Sequence, residues 1–218
     1  TVVGSYGYPA WFTTALNEIA ADAYGETDVR EAHDDAVTLA MLDQERAEVD
    51  IISDGEMRRR GFYHGFYARL TGLEPLPPRR KVGAPAYDTQ QRWRVTEKLC
   101  VPDGLGLVQE FAFARQRTGK PLKICCPGPL TFTILLDLNG VYANHLEAAQ
   151  SLAPAINAEL KALAQAGADF IQIDEPSFVT MPGELHDWVR LFNEVVSGVR
   201  AKIALHVCFG NLSSRPRG

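Results

Sequence analysis

The chain has 218 residues, of which 46% are hydrophobic and 22% charged, and a formal net charge of −5. That balance suits a globular core and argues against a nucleic-acid partner, which would be met by a basic face. No apolar run approaches the ~20 residues that cross a bilayer, and no charged leader precedes an apolar stretch, so the expected setting is cytoplasmic, without membrane partners.

In chain order, "TVVGS" (1–5) reads as a first strand and "DVREAHDDAVTLAMLDQERAE" (28–48) as a helix. Asp28 and Glu31 are spaced as an N-cap and its reciprocal partner, and Val29, Ala32, Ala36 and Leu39 share one face. "VDIISDGE" (49–56) reads as a second strand, "LVQEFAFARQRTG" (107–119) as a helix closed by Gly119, and "PLKICCPGP" (121–129) as a third strand. The clearest helix is 144–167. Leu146, Ala149, Ala153, Ile156, Leu160 and Leu163 keep a 3–4 spacing, Asn144 with Glu147 caps the start, and Pro154 predicts a kink. "ADFIQIDEP" (168–176) follows as a fourth strand. A helix over 184–199 places Leu185, Trp188, Phe192, Val195 and Val199 on one side, and "KIALHVCFG" (202–210) is a fifth strand. Alternating strands and helices predict a parallel sheet with helices outside. The stretch 74–104 breaks this rhythm. Its Pro- and Gly-rich start and later alternation read as a β-hairpin excursion within a single domain.

The strand ends carry "GSYG", "SDGE", "DEP" and "HVCFGN". Ligands of parallel α/β folds bind at the carboxyl ends of strands, so these groups are expected at one edge. Residues i and i+2 share a strand face. Ile171 and Ile173 therefore face one way, and Gln172 and Asp174 the other. His206 and Cys208 also share a face, about 7 Å apart by strand rise. A His and a thiolate together suit zinc; the plain alternative is a hydrogen-bonded core His beside a buried Cys. The remaining cysteines are Cys100, Cys125 and Cys126. Their spacing suggests no disulfide framework, so they are expected as core residues or metal ligands. Adjacent Cys125 and Cys126 point opposite ways, so at most one joins a site, and packing is the expected role of both. Asp174 and Glu175, like Asp54 and Glu56, are candidates to meet a cationic amine, to cap a helix or to pair with an arginine. Arg58, Arg59 and Arg60 read as a solvated helix start, with the alternative that one of them holds a carboxylate or phosphate. The aromatics of "GFYHGFY" (61–67) read as packing, with His64 a lesser candidate for a ligand or base.

"VVGSY", "DIISDGEMRR" (50–59), "CCPGPLTF" (125–132), "GADFIQIDEP" (167–176) and "HVCFGN" (206–211) occur together in a fixed order. In this combination the chain resembles the catalytic domain of cobalamin-independent methionine synthases, in particular their short single-domain relatives. The resemblance implies a (β/α)8 TIM barrel and zinc-dependent methyl transfer to the thiol of homocysteine. It implies that His206 and Cys208 ligate zinc. It implies that Glu56 and Asp174 hold the substrate's amino group, with Asp174 the catalytic candidate, and that the Ser5 loop meets its carboxylate. The family's remaining zinc ligands, a Glu and a second Cys, come from later strands. With about five of eight strands, we expect a C-terminally incomplete barrel with raw edges that favour homo-oligomers. Leu135 stands where longer relatives carry a Trp near the folate, which leaves methyltetrahydrofolate and a methyl-corrinoid both open as donor. The competing expectations are a zinc alkyltransferase for another thiol such as coenzyme M, or a non-catalytic binding remnant. The uroporphyrinogen decarboxylases share the fold but need no metal, and His-x-Cys argues against them.

Overall fold

A computed structural model describes residues 1–59, 64–80 and 89–208. At its centre is a three-stranded parallel sheet, formed by β3 (Lys123–Pro127), β5 (Phe170–Asp174) and β6 (Lys202–His206) in the order β3-β5-β6. The pairing is in register: Cys125 lies beside Gln172, Pro127 beside Asp174, and Asp174 beside His206. Ile171 and Ile173 are buried in the main hydrophobic cluster with Ile124, Leu160 and Phe111. The predicted parity therefore holds: the polar residues of β5 turn to the face opposite the core. The sheet with its flanking helices is an arc of a (β/α) barrel.

Two predicted strands are not formed. Residues 1–5 pair with no strand. The stretch 49–56 keeps a single parallel bridge, Ile52 to Leu122. Beyond it the chain turns away, because Gly55 (φ 67°) and Glu56 (φ 57°) adopt left-handed backbone. Glycine takes that conformation without cost. For Glu56 it is compensated by the Asp54 carboxylate, which accepts the Glu56 N–H at 3.0 Å.

The helices form largely where predicted, with shifted ends. α1 (Ala10–Ala20) was not anticipated; it buries Phe12 and Ala15. α2 (Glu26–Arg46) begins before the expected cap. Gly25 occupies the N-cap position, and Asp28 reaches back to its N–H at 3.2 Å, so Asp28 is the reciprocal partner rather than the cap. The buried face is Ala36, Val37, Ala40, Met41 and Gln44, whereas Leu39 is 46% exposed. α3 (Leu107–Arg115) ends before Gly119. α4 (His145–Gln165) runs unbroken past exposed Pro154. Its cap is as predicted, with the Asn144 side chain accepting the Glu147 N–H at 2.9 Å. α5 (Ser177–Thr180) is a single turn. α6 (Leu185–Val196) buries Trp188, Leu191 and Val195, while Leu185 at its first position lies in solvent.

The excursion is an antiparallel hairpin of β1 (Thr71–Arg80) and β2 (Thr89–Cys100). The short strand β4 (Leu136–Asp137) adds in parallel to β2, tying the hairpin to the segment after β3. Leu135 is buried in the core beside it, and its carbonyl accepts the Trp93 N–H.

Glu159 joins α4 to the start of α3. Its carboxylate accepts N–H bonds from Leu105 (3.0 Å), Leu107 (2.7 Å) and Val108 (3.4 Å) and is nearly buried. Negative charge at a helix start is favourable, and here it satisfies the orphan donors of that turn. Glu159→Ala is expected to lower stability by about 3 kcal/mol, the cost of stranded buried donors. Urea unfolding checks this as a lower midpoint at an unchanged m-value.

Candidate functional site

Val3, Gly4, Ser5, Glu56, Asp174, Pro176, His206 and Cys208 line a cleft of about 290 Å³ at the carboxyl ends of the parallel strands. Every predicted site residue (Ser5, Glu56, Asp174, His206 and Cys208) is thus brought to one place. His206 and Cys208 are both partly exposed.

Asp174 ends β5, where strand register sets it beside His206. Its Oδ1 pairs with His206 Nδ1 at 2.7 Å and accepts from Gln172 Nε2 at 2.7 Å. The carboxylate raises the His206 pKa, chiefly through that hydrogen bond, against the lowering effect of burial. Asp174 Oδ2 is buried and has no hydrogen-bond partner among the described residues. Glu56 sits on the left-handed turn after Ile52. Its Oε2 accepts from the Ser5 hydroxyl, and its Oε1 is buried without a hydrogen-bond partner. Burial raises the Glu56 pKa, while Arg59 and Ser5 pull it back. Adding a Cβ at Gly4 would bring it 2.7 Å from Glu56 Oε1, so the approach of the first residues to this carboxylate requires glycine there.

Arg59 is not a solvated helix start. It is 3% exposed and bonds Glu110 through Nε at 2.9 Å and the Cys125 carbonyl at 2.8 Å. It stands 3.6 Å from Glu56. Burial works to lower its pKa, but the carboxylates of Glu110 and Glu56 outweigh this and raise it, so the guanidinium stays charged. Arg58 is half-buried and pairs with Asp34; Arg60 lies outside the described residues, as does the 61–63 part of the aromatic run. Phe66 and Tyr67 pack in the core as expected. His64 does not line the cleft, and burial lowers its pKa.

Three further residues contribute, of which only Lys123 was not weighed from sequence. Lys123 is fully buried and donates to the carbonyls of Val2 and Val3 and to Gln172 Oε1. Gln172 also donates to Val3 O at 2.7 Å. These side chains, rather than sheet pairing, hold the segment that carries Ser5. A lysine inside the apolar run "LKICC" was the available signal, since lysine is almost never fully buried without partners. Cys125 is the third. Cys126 packs in the core as predicted, whereas Cys125 turns to the site, with its ligand atom and those of Glu56 and Asp174 within 4.8 Å of one another. Burial, and then Asp174 and Glu56, push its thiol well above the ordinary range.

Glu175 separates from its neighbour. It accepts N–H bonds from Leu130 (3.1 Å) and Thr131 (2.7 Å), capping the turn after β3. A Cβ at Gly128 would stand 2.1 Å from its Oε2, so glycine makes room for the carboxylate. Of the two acids, Asp174 alone serves the cleft.

The donor chemistry of His206 and Cys208 fits zinc, and a carboxylate bonded to the other ring nitrogen is the usual support of a histidine ligand. Among the described residues, the group of three or more ligand types close enough for one ion is Glu56, Cys125 and Asp174, and it does not include that pair.

Two predictions arise from this geometry. Lys123→Met is expected to raise amide exchange of residues 1–6 by about tenfold or more, because charge-assisted hydrogen bonds contribute about 1.5–3 kcal/mol; exchange mass spectrometry reads it. Burial pushes the Glu175 carboxyl up to about 7 against the pull of its three hydrogen bonds with Thr131 and Leu130. The folded chain then binds more protons than the unfolded chain between the ordinary carboxylate value and about 7. Its contribution is fully present at acid pH and is lost as pH rises through that window. Glu175→Gln should flatten this fall in a pH series of urea midpoints.

Comparisons with known proteins give the family and the fold. A family model described as cobalamin-independent synthase, catalytic domain, matches residues 1–215. Methionine synthases of Sulfurisphaera tokodaii and Saccharolobus solfataricus are each 36% identical over 98% of this chain. The chain spans 62% and 63% of their lengths. The structure of a B12-independent methionine synthase from Shewanella sp. W3-18-1, in complex with selenomethionine, superposes with a TM-score of 0.73 at 28% identity, covering 86% of this chain and 55% of that one. A putative vitamin-B12 independent methionine synthase from Listeria monocytogenes shares the fold, with a TM-score of 0.70 at 19% identity, covering 97% of this chain and 69% of that one. With its parallel strands, its acid-lined cleft and a match along nearly all its length, the chain belongs to the cobalamin-independent synthase catalytic-domain family.

Proposed function

We propose that this chain carries the homocysteine side of a zinc-dependent methyl transfer that yields methionine. The observation that carries the reading is the pair of buried carboxylate oxygens, Glu56 Oε1 and Asp174 Oδ2, that accept no hydrogen bond among the described residues, in the cleft that also holds His206 and Cys208, with Arg59 offsetting Glu56 from 3.6 Å. Unsatisfied buried carboxylate oxygens demand a cationic donor. The ammonium of an amino acid supplies one, with three donors for two acceptors. The Shewanella relative's complex with selenomethionine supports an amino-acid ligand.

Each residue then has a role. Glu56 and Asp174 fix the substrate's ammonium. Ser5 holds Glu56 through its hydroxyl and brings its own segment beside the substrate carboxylate. Asp174 orients the His206 ring through Nδ1, leaving the other nitrogen for metal, and Cys208 offers the thiolate ligand. Zinc held there would supply the Lewis acidity that keeps a thiol deprotonated near neutral pH. Arg59 compensates the charge of Glu56 from behind. In the transfer, a sulfur lone pair forms the new S–C bond as the methyl carbon leaves its donor, which keeps the electron pair. Methyltetrahydrofolate and a methyl-corrinoid are the two donor classes considered. The alternative of a sulfonate thiol is disfavoured by the cleft itself, because a sulfonate beside two buried acids would be repelled.

Elemental analysis of the purified chain tests the reading without needing turnover. Zinc content is expected to fall by about one per chain in His206→Ala and in Cys208→Ala. Unchanged metal content in both variants would sink the assignment, and a chain that takes no zinc is the non-catalytic remnant. Calorimetry with the zinc-loaded chain tests the amino group. Asp174→Asn should weaken homocysteine by tenfold or more, the cost of an unpaired buried charge, and leave a thiol without an amino group bound as before.

A further inference from the structure

We propose that Glu56, Cys125 and Asp174 form an inner site for a thiophilic divalent cation, separate from the His206–Cys208 pair. Their ligand atoms lie within 4.8 Å of one another, and all three residues are buried. Glu56 and Asp174 are 2% and 3% exposed, and each has an oxygen that accepts no hydrogen bond among the described residues. Cys125 Sγ has only a weak contact, with Val3 O at 3.8 Å. Metal bonds of about 2.0–2.3 Å set tetrahedral ligands roughly 3.5 Å apart. Closing on an ion requires the two carboxylates and the thiol to turn toward one another.

Local charge favours the ion. Lys123 is committed to Val2, Val3 and Gln172, and Arg59, bonded to Glu110 and the Cys125 carbonyl, offsets one of the three negative groups from 3.6 Å behind Glu56. Binding forms one metal–sulfur bond and releases the Cys125 proton to solvent. A thiolate with two carboxylates selects zinc or cadmium over magnesium or calcium. The two carboxylate oxygens are the same ones that the proposed function assigns to the substrate's ammonium. On that reading, the inner ion and the amino acid exclude each other, and an excess of a soft cation plugs the substrate pocket.

The test uses the metal-free full chain titrated with cadmium, followed by the ultraviolet thiolate-to-cadmium charge-transfer band and by proton release. Binding is expected to persist in Cys208→Ser. In Cys125→Ser it should weaken by more than the roughly 10–100-fold that loss of an outer-shell partner costs. Because Cys125 is buried, Asp174→Asn serves as a second variant; it should weaken cadmium while the sulfur band keeps its shape. Circular dichroism confirms that each variant is folded. Unchanged affinity in Cys125→Ser, or loss confined to Cys208→Ser, would overturn the inner site. Methionine, added as an amine without a thiol, separates the two readings. Cadmium binding that depends on Cys125 and is weakened by methionine supports both. Cys125-dependent binding that methionine leaves untouched supports the inner site and overturns its overlap with the amino-acid pocket.

Discussion

Negative charge buried at the carboxyl ends of the parallel strands is the constraint on which the rest of the site depends. Glu56 and Asp174 are almost fully removed from water, and each leaves one oxygen without a hydrogen bond. Buried carboxylates persist only where cations and donors compensate them. Here the compensation is partial by construction. Arg59 stands behind Glu56, His206 and Gln172 hold Asp174, and the front of both acids opens to the cleft. What the protein leaves unpaired is what a cationic ligand can complete.

The surrounding structure keeps that charge in place. Arg59 reaches from the segment after Ile52 to Glu110 in α3 and to the backbone of β3, so one guanidinium ties three parts of the chain to the site. Lys123 does the same from the opposite side, fastening the first residues of the chain to β3 and β5. Ser5 reaches Glu56 because of that fastening, and because glycine at position 4 leaves room. Glu175 and Glu159 shape the turns before and beyond the sheet by the same device, a carboxylate placed on backbone N–H groups. Buried cations and buried acids thus position the cleft.

Most of this was legible in the chain. Alternation of Ile171, Gln172, Ile173 and Asp174 gave the two faces of β5, and the 3–4 spacing gave α4 with its Asn144 cap. Polar residues at strand ends marked the site before any pairing was known. The helix faces were harder to read. Leu39 and Leu185 fit an apolar stripe by spacing yet lie in solvent, because the neighbouring helix or sheet does not cover that part of the helix. Residues 1–5 and 49–56 have strand composition, but strands form only where a partner offers a ladder. Beyond one bridge at Ile52, the left-handed turn at Gly55 and Glu56 removes the second from the sheet.

The sequence by itself determined which chemistry is present: acids, a His-x-Cys pair and apolar strands to carry them, since residue type and local period are written along the chain. Only the tertiary structure decided which of those groups meet. Glu56 finds Ser5, Arg59 finds Glu110, and Cys125 rather than Cys126 joins the acids, because parallel register sets Cys125 beside Gln172 and Pro127 beside Asp174. Such pairings join residues tens of positions apart, at distances fixed by packing and hydrogen-bond ladders. Local propensity carries no record of them.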